Sequence, residues 1–320
     1  MSSPTAAPGR PATGALPFTA FATLLLIALM MGANHVAARL AFNHGVDVAT
    51  AVTARSLVTA LAVGLLVWQQ GVALRFNVRQ RRALVGIGLL LAVQSFSLYS
   101  AVARLPVALA LLAFNTYPLW TALWARVVYG HRAEPRVLRA MPVMLLGLAL
   151  ALDVLGAASG LGAAGHWGQI GAGVAFALTA AATFGMALVL TQHEAADVDG
   201  RLRTVVTLAM VGVLALAVVA LQGGPAWPRA APGWWGLAAL TFLYGTAFTI
   251  LFTVLPRLGV VGNSAIMNVE PIFALVLAWA LLGQTIAFIQ VLGGLLVVAT
   301  VMWLGLRRPA PAPLQPKDPA

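Results

Sequence analysis

The chain has 320 residues, of which 61% are hydrophobic and 8% charged, with a net charge of +11. A soluble domain carries roughly 25% charged residues to clothe its core, so a soluble enzyme or nucleic-acid-binding protein is excluded, the more so because the arginines punctuate apolar runs instead of forming a patch. Cysteine is absent, which excludes disulfides and thiolate metal sites.

Residues 1–16 are rich in Pro, Ala and Ser and predict a disordered tail. Apolar stretches of about 20 residues, enough to cross a ~30 Å hydrocarbon layer, then follow one another along the chain. They cover 18–40, 49–69, 83–103, 105–128, 138–156, 168–191, 203–221, 235–256, 259–282 and 285–305, predicting ten transmembrane helices in an all-α membrane protein. The first is too long for a signal-peptide core and is read as retained. Residues 307–320 are Pro-rich and predict a second disordered tail.

Polar residues interrupt several of these spans. The first carries Asn34 and His35, with His35 and Arg39 on one helical face; the second carries Arg55, and the third Gln94. The fourth holds Asn115, Tyr117, Pro118 and Trp120, the eighth Tyr244, and the ninth Asn268, Glu270 and Pro271. Asp153 falls near a span boundary, where solvation is expected. At a rise of about 1.5 Å per residue, Arg55, Gln94, Asn115, Tyr244 and Glu270 all lie roughly 9–17 Å from their nearest span start, close to the midplane. A charge there costs at least ~2.5–3.5 kcal/mol on insertion scales, so Arg55 and Glu270 need a reason. Glu270 reads as a contact for a substrate ammonium or a coupling proton, or as a protonated glutamate bonding a neighbouring helix. Arg55 reads as a carboxylate ligand, or as a clamp on helix-end carbonyls or on Glu270. Asn115 and Asn268 are candidate substrate contacts or interhelical hydrogen bonds, and Gln94 is a candidate substrate contact. Tyr117 and Trp120 are candidate aromatic cavity walls or else lipid- or core-facing rings, Tyr244 is a candidate substrate contact, and Pro118 and Pro271 are candidate kinks with a conformational role.

With the N-terminus inside, fifteen Lys and Arg residues fall in inner segments and three, Arg39, Arg104 and Arg229, in outer ones. That bias predicts both termini in the cytoplasm of a cell membrane, as for a bacterial inner-membrane protein. A shift of 153 residues lays "RLPVALALLAFNTYPLWTALWARVVYGH" (104–131) on "RLGVVGNSAIMNVEPIFALVLAWALLGQ" (257–284) without a gap, with seven of 28 positions identical. Asn115 meets Asn268 and Pro118 meets Pro271. Two five-span halves, 17–156 and 168–306, are therefore expected. An odd number of spans per half puts them in opposite orientations, the inverted 5+5 repeat of secondary transporters, whose substrate sites lie at the midplane.

"GANHVAARLA" (32–41), Arg55, the run Tyr99–Pro106, "NTYPLWTAL" and "NVEPIFALVLAWALLG" together resemble the EamA-type transporters of the drug/metabolite transporter superfamily. The resemblance covers about residues 20–305; it departs where the family's Pro-centred stretches end in Gly-Glu, for here His131 and Gln284 stand instead. It implies a central cavity between the halves and alternating-access movement of a small polar metabolite, with no cofactor. An amino acid or related zwitterion, exported, is the substrate class expected, with proton coupling left open and lipophilic cation efflux the alternative. The partners expected are the substrate and the bilayer, without nucleic acid. "HEAAD" (193–197) misses the zinc motif by its last residue, and no P-loop or G-x-S-x-G occurs, so an intramembrane enzyme or a mere scaffold fits less well.

Overall fold

Helices begin where the sequence can satisfy their first free amides. The computed structural model describes residues 18–72, 75–131, 135–156, 160, 162–253 and 269–305, and every regular element among them is helical. The first three helices are α1 (Phe18–Asn43), α2 (Val48–Gln69) and α3 (Val78–Arg104). Asp47 caps α2 by accepting from the Thr50 amide at 2.7 Å, and Asn77 with Gln80 forms a reciprocal capping box on α3. The chain continues through α4 (Val107–Phe114), α5 (Tyr117–Tyr129), α6 (Pro135–Ala151) and α7 (Gly162–Glu194). The rest is α8 (Gly200–Leu221), α9 (Ala231–Thr253), α10 (Glu270–Leu282) and α11 (Phe288–Gly305). Asp199 caps α8 through the Arg201 amide at 2.8 Å.

The fourth span, expected as one kinked helix over 105–128, is instead two helices broken at Asn115 and Thr116. Pro118 is the reason. Its ring clashes with the carbonyl four residues back and offers no amide, so the helix stops before it and restarts with proline in the first turn. Pro271 stands at the same place in α10, and both α5 and α10 end on a glycine in the left-handed region, Gly130 (φ +68°) and Gly283 (φ +64°). Pro118 is thus a helix start, not a kink; Pro271 stands in the first turn of α10, and the residues before Val269 lie outside the described ones. The fifth span also stops short: α6 ends at Ala151, and Asp153, expected to be solvated, is 7% exposed in a turn with φ +48°.

Six segments, counting α4 and α5 as one, are long and apolar enough to cross a membrane, and α6, α10 and α11 are shorter apolar helices. Large apolar side chains such as Leu61, Phe242 and Leu281 point outward, as lipid contact allows and water does not. The protein is an all-α, multi-span membrane protein of about ten helices. α1 packs on α9, α2 on α8, α3 on α7 and α6 on α11. α4 is the buried rod of the bundle, with every residue from Val107 to Ala113 inside, and it packs on α7 and α10. Gln284 caps it, accepting from the Val107 amide at 3.0 Å.

Glycines set the closest helix approaches. A Cβ at Gly32 of α1 would lie 3.0 Å from the Glu270 carbonyl oxygen and 3.1 Å from the Ala274 nitrogen, so α1 rests on the first turn of α10. A Cβ at Gly185 of α7 would lie 2.8 Å from the Thr121 nitrogen and 2.9 Å from Trp120 Cβ, on the first turns of α5. Gly32 and Gly185, Trp120 and Phe273, and Thr121 and Ala274 are each related by the same shift of 153 residues that relates the two Pro-centred stretches.

Candidate functional site

A cavity of about 390 Å³ opens between the helices around the middle of the bundle. Its wall takes in His35 from α1, Arg55 from α2, Gln94 and Ser95 from α3, Asn115 at the α4–α5 break, Tyr117 from α5, Tyr244 from α9 and Glu270 from α10. The cavity runs along the helices to the end nearest the α7–α8 connection, where Thr191, Arg203, Thr204 and Thr207 line it. The opposite end is sealed. There Ala38, Ala41, Val52, Val211, Leu237 and Leu240 are buried together, and a Cβ at Gly236 would sit 2.7 Å from the Ala41 nitrogen.

Glu270 is the first residue of α10 and lies on the cavity wall. A carboxylate fits there because the free amides of a helix N-terminus carry partial positive charge. A second stabilising contact comes from α1, where His35 Nε2 lies 3.2 Å from Glu270 Oε1. The close approach at Gly32, one turn before His35, brings the two helices near enough for it. His35 is 4% exposed and Glu270 22%, so the histidine is walled in and the carboxylate still faces open space.

Arg55 is 3% exposed and does not pair with Glu270 among the described contacts. Its guanidinium lies between two rings instead, 4.4 Å from the Tyr99 centroid and 4.2 Å from that of Tyr244. Nη2 donates to Ser95 Oγ at 2.8 Å, and the Ser95 hydroxyl donates on to Gln94 Oε1 at 3.3 Å. Ring faces attract a cation by about 0.5–2 kcal/mol each, more where water is excluded, which is how a buried guanidinium is kept without a carboxylate. Tyr99 is held in turn by donating to Asn34 Oδ1 at 3.2 Å.

The expected site residues thus divide. His35, Arg55, Gln94, Asn115, Tyr117, Tyr244 and Glu270 come together on one cavity. Asn34, fully buried, stands behind it as the support of Tyr99. Trp120, expected in an aromatic wall, packs its Cβ against Gly185 of α7 and does not line the cavity. Asn268 lies outside the described residues. Sequence reasoning missed Phe114 and Phe184, whose rings meet Tyr117 at centroid distances of 5.7 and 5.2 Å, and also Ser95, Phe248 and the threonines. An uncharged side chain inside an apolar span gives no signal of which way it faces.

Among the described residues no group of three or more His, Asp or Glu side chains could hold a metal ion. Comparison with known proteins fits the geometry. The model of the EamA-like transporter family matches twice, over residues 18–152 and 171–306. Nineteen chains of solved structures match in fold. One, titled only "Crystal structure of protein", superposes with a TM-score of 0.56 at 20% identity, over 88% of this chain and 95% of that one. No curated protein matches the sequence. With a family match over most of its length, the chain belongs to the EamA-like transporter family: it carries a small molecule across a membrane and is not an enzyme that transforms one.

Proposed function

We propose that the protein exports a small zwitterion, an amino acid or close relative, across a bacterial inner membrane by alternating access. The observation that carries this reading is one cavity, closed at one end, that holds a fixed cation, Arg55, and an available anion, Glu270. The carboxylate of a zwitterion meets the guanidinium and its ammonium meets Glu270; the His35 contact at 3.2 Å is the place where a coupled proton would be exchanged.

Helix pairing supports two inverted halves, residues 17–156 and 168–306. Exchanging each helix for its counterpart in the other half turns the α1–α9 contact into α3–α7, α2–α9 into α3–α8 and α1–α10 into α5–α7, all of which occur. The arginine bias supports cytoplasmic termini, and the cavity then faces the cytoplasm. Midplane binding between inverted repeats is the arrangement expected of alternating access.

The aromatic cluster of Phe114, Tyr117 and Phe184 favours a second reading, efflux of lipophilic cations against Glu270. Identifying the metabolites that accumulate outside overproducing cells separates the two, and Glu270→Gln tests both. A hydrogen bond to a charged group is worth about 1.5–3 kcal/mol, so transport at low substrate should fall roughly 10- to 100-fold in a variant that still inserts and folds. Wild-type transport by Glu270→Gln across roughly pH 5.5 to 8 would reduce the carboxylate to a structural element.

A further inference from the structure

Arg203 lies four residues into α8, half-buried, on the wall of the cavity at its open end. A guanidinium has five N–H donors, yet its one described hydrogen bond is long, Nη1 donating to the Ala195 carbonyl at 3.3 Å. The acids around it are occupied. Asp199 accepts from the Arg201 amide, Nε and Nη2 at 2.8, 3.0 and 2.7 Å. Glu194 accepts from Arg79 Nε at 2.7 Å and the Tyr129 hydroxyl at 2.9 Å, and Asp197 from Gln80 at 2.8 Å. Among the described residues no carboxylate forms an ion pair with Arg203. A charge that could have been left out of an apolar helix is thus kept at the cavity wall with no carboxylate in direct contact among the described residues, the nearby Asp199 being held by Arg201.

The spacing decides what it can bind. A Cβ at Gly212 of α8 would lie 3.2 Å from the Leu57 nitrogen of α2, so these two positions are level. Arg55 is two residues from Leu57 and Arg203 nine from Gly212 in the opposite direction, so about 11 residues, or roughly 16 Å at 1.5 Å per residue, separate them along the bundle. No amino acid spans that, so the two arginines serve in succession. We propose that Arg203 is an entry station for the anionic group of the substrate, which it holds before the carboxylate reaches Arg55. The path therefore selects molecules that carry a carboxylate and turns away purely cationic ones. This rests on the central cavity being the transport path.

The absence of cysteine makes a clean test possible. Thr191→Cys places one thiol on the half-buried α7 wall facing the same end of the cavity. Its modification by anionic sulfonatoethyl and cationic trimethylammonioethyl methanethiosulfonate is timed in protein reconstituted in nanodiscs. A nearby unit charge in water-like surroundings is worth up to about 1 kcal/mol, so it changes each rate by up to roughly fivefold in opposite directions, and Arg203→Gln should lower the anion-to-cation ratio severalfold. Arg203→Lys should preserve the ratio. An unchanged ratio in Arg203→Gln, or a thiol that neither reagent reaches, overturns the proposal. So does a ratio that collapses when anionic lipid is added, since Arg203 would then hold a headgroup. Protection of the thiol by a mixture of protein amino acids that is lost in Arg203→Gln supports the entry role. If the ratio behaves as expected but amino acids give no protection, Arg203 still selects anions while the zwitterion reading fails.

Discussion

Replacing Gly32 by alanine puts a methyl group where α1 rests on α10. The new Cβ would meet the Glu270 carbonyl oxygen at 3.0 Å, the Ala274 nitrogen at 3.1 Å and Phe273 Cβ at 3.3 Å. Two of these are backbone atoms that no rotamer change can move, so the helices must part by a few tenths of an ångström. Overpacking of this kind costs about 1–3 kcal/mol, against roughly 0.8–1 kcal/mol regained from alanine's better helix propensity. The expected net loss is about 0–2 kcal/mol, with a longer His35–Glu270 contact and weaker transport. Gly185→Ala should behave alike, because its Cβ meets the Thr121 nitrogen at 2.8 Å. Gly64 and Gly86 are the controls: their nearest neighbours are side-chain methyls at 3.8 and 3.9 Å, so alanine there fits and should stabilise. Melting in detergent, followed by fluorescence-detected size exclusion, ranks the four. Melting of Gly32→Ala and Gly185→Ala as high as that of Gly64→Ala and Gly86→Ala would refute a tight contact at these glycines.

Arg55→Lys keeps the charge but loses the flat stack between Tyr99 and Tyr244, and should destabilise by about 1–3 kcal/mol in the same melting assay. Arg55→Met fills similar space; normal melting with lost transport would mark the guanidinium as a substrate contact, and normal transport would mark it as a clamp. Outside the membrane, the Arg201 side chain holds the Asp199 carboxyl down to about 2. A depressed folded value means its contribution is full above the unfolded value of about 3.9 and disappears as pH falls through the folded one. The melting difference between wild type and Asp199→Asn should therefore be constant from neutral pH to about 5 and shrink below about 4; a difference that shrinks between pH 7 and 5 would refute it.

The all-α membrane class and its roughly ten helices were legible because they rest on composition and run length along the chain. The Pro118 stretch was found, but its consequence was misjudged. Proline forbids the turn before it, and whether a helix bends or breaks there depends on what surrounds the freed groups, here the cavity beside Asn115. Partners were the least legible part. Arg55 has its rings on Tyr99 and Tyr244, and Glu270 finds His35, all from helices far apart in sequence. Trp120 shows the converse: an aromatic at a promising register stands where α5 meets Gly185 of α7 and is not on the cavity wall. Arg203 counted in sequence only toward orientation, since its position on a cavity wall depends on how α8 is turned.

The two ends of the cavity are held by different kinds of contact. The sealed end is close-packed alanine, valine and leucine around Gly236, whereas outside the cavity both ion pairs among the described residues, Arg79–Glu194 and Arg201–Asp199, lie at the α7–α8 end. Dissolved salt weakens exposed charge pairs within a Debye length of about 8–10 Å and leaves dispersion contacts alone. Ionic strength on one side of the membrane thus loosens only the end rimmed by charge, and the hydrocarbon seal is indifferent to the salt on the other.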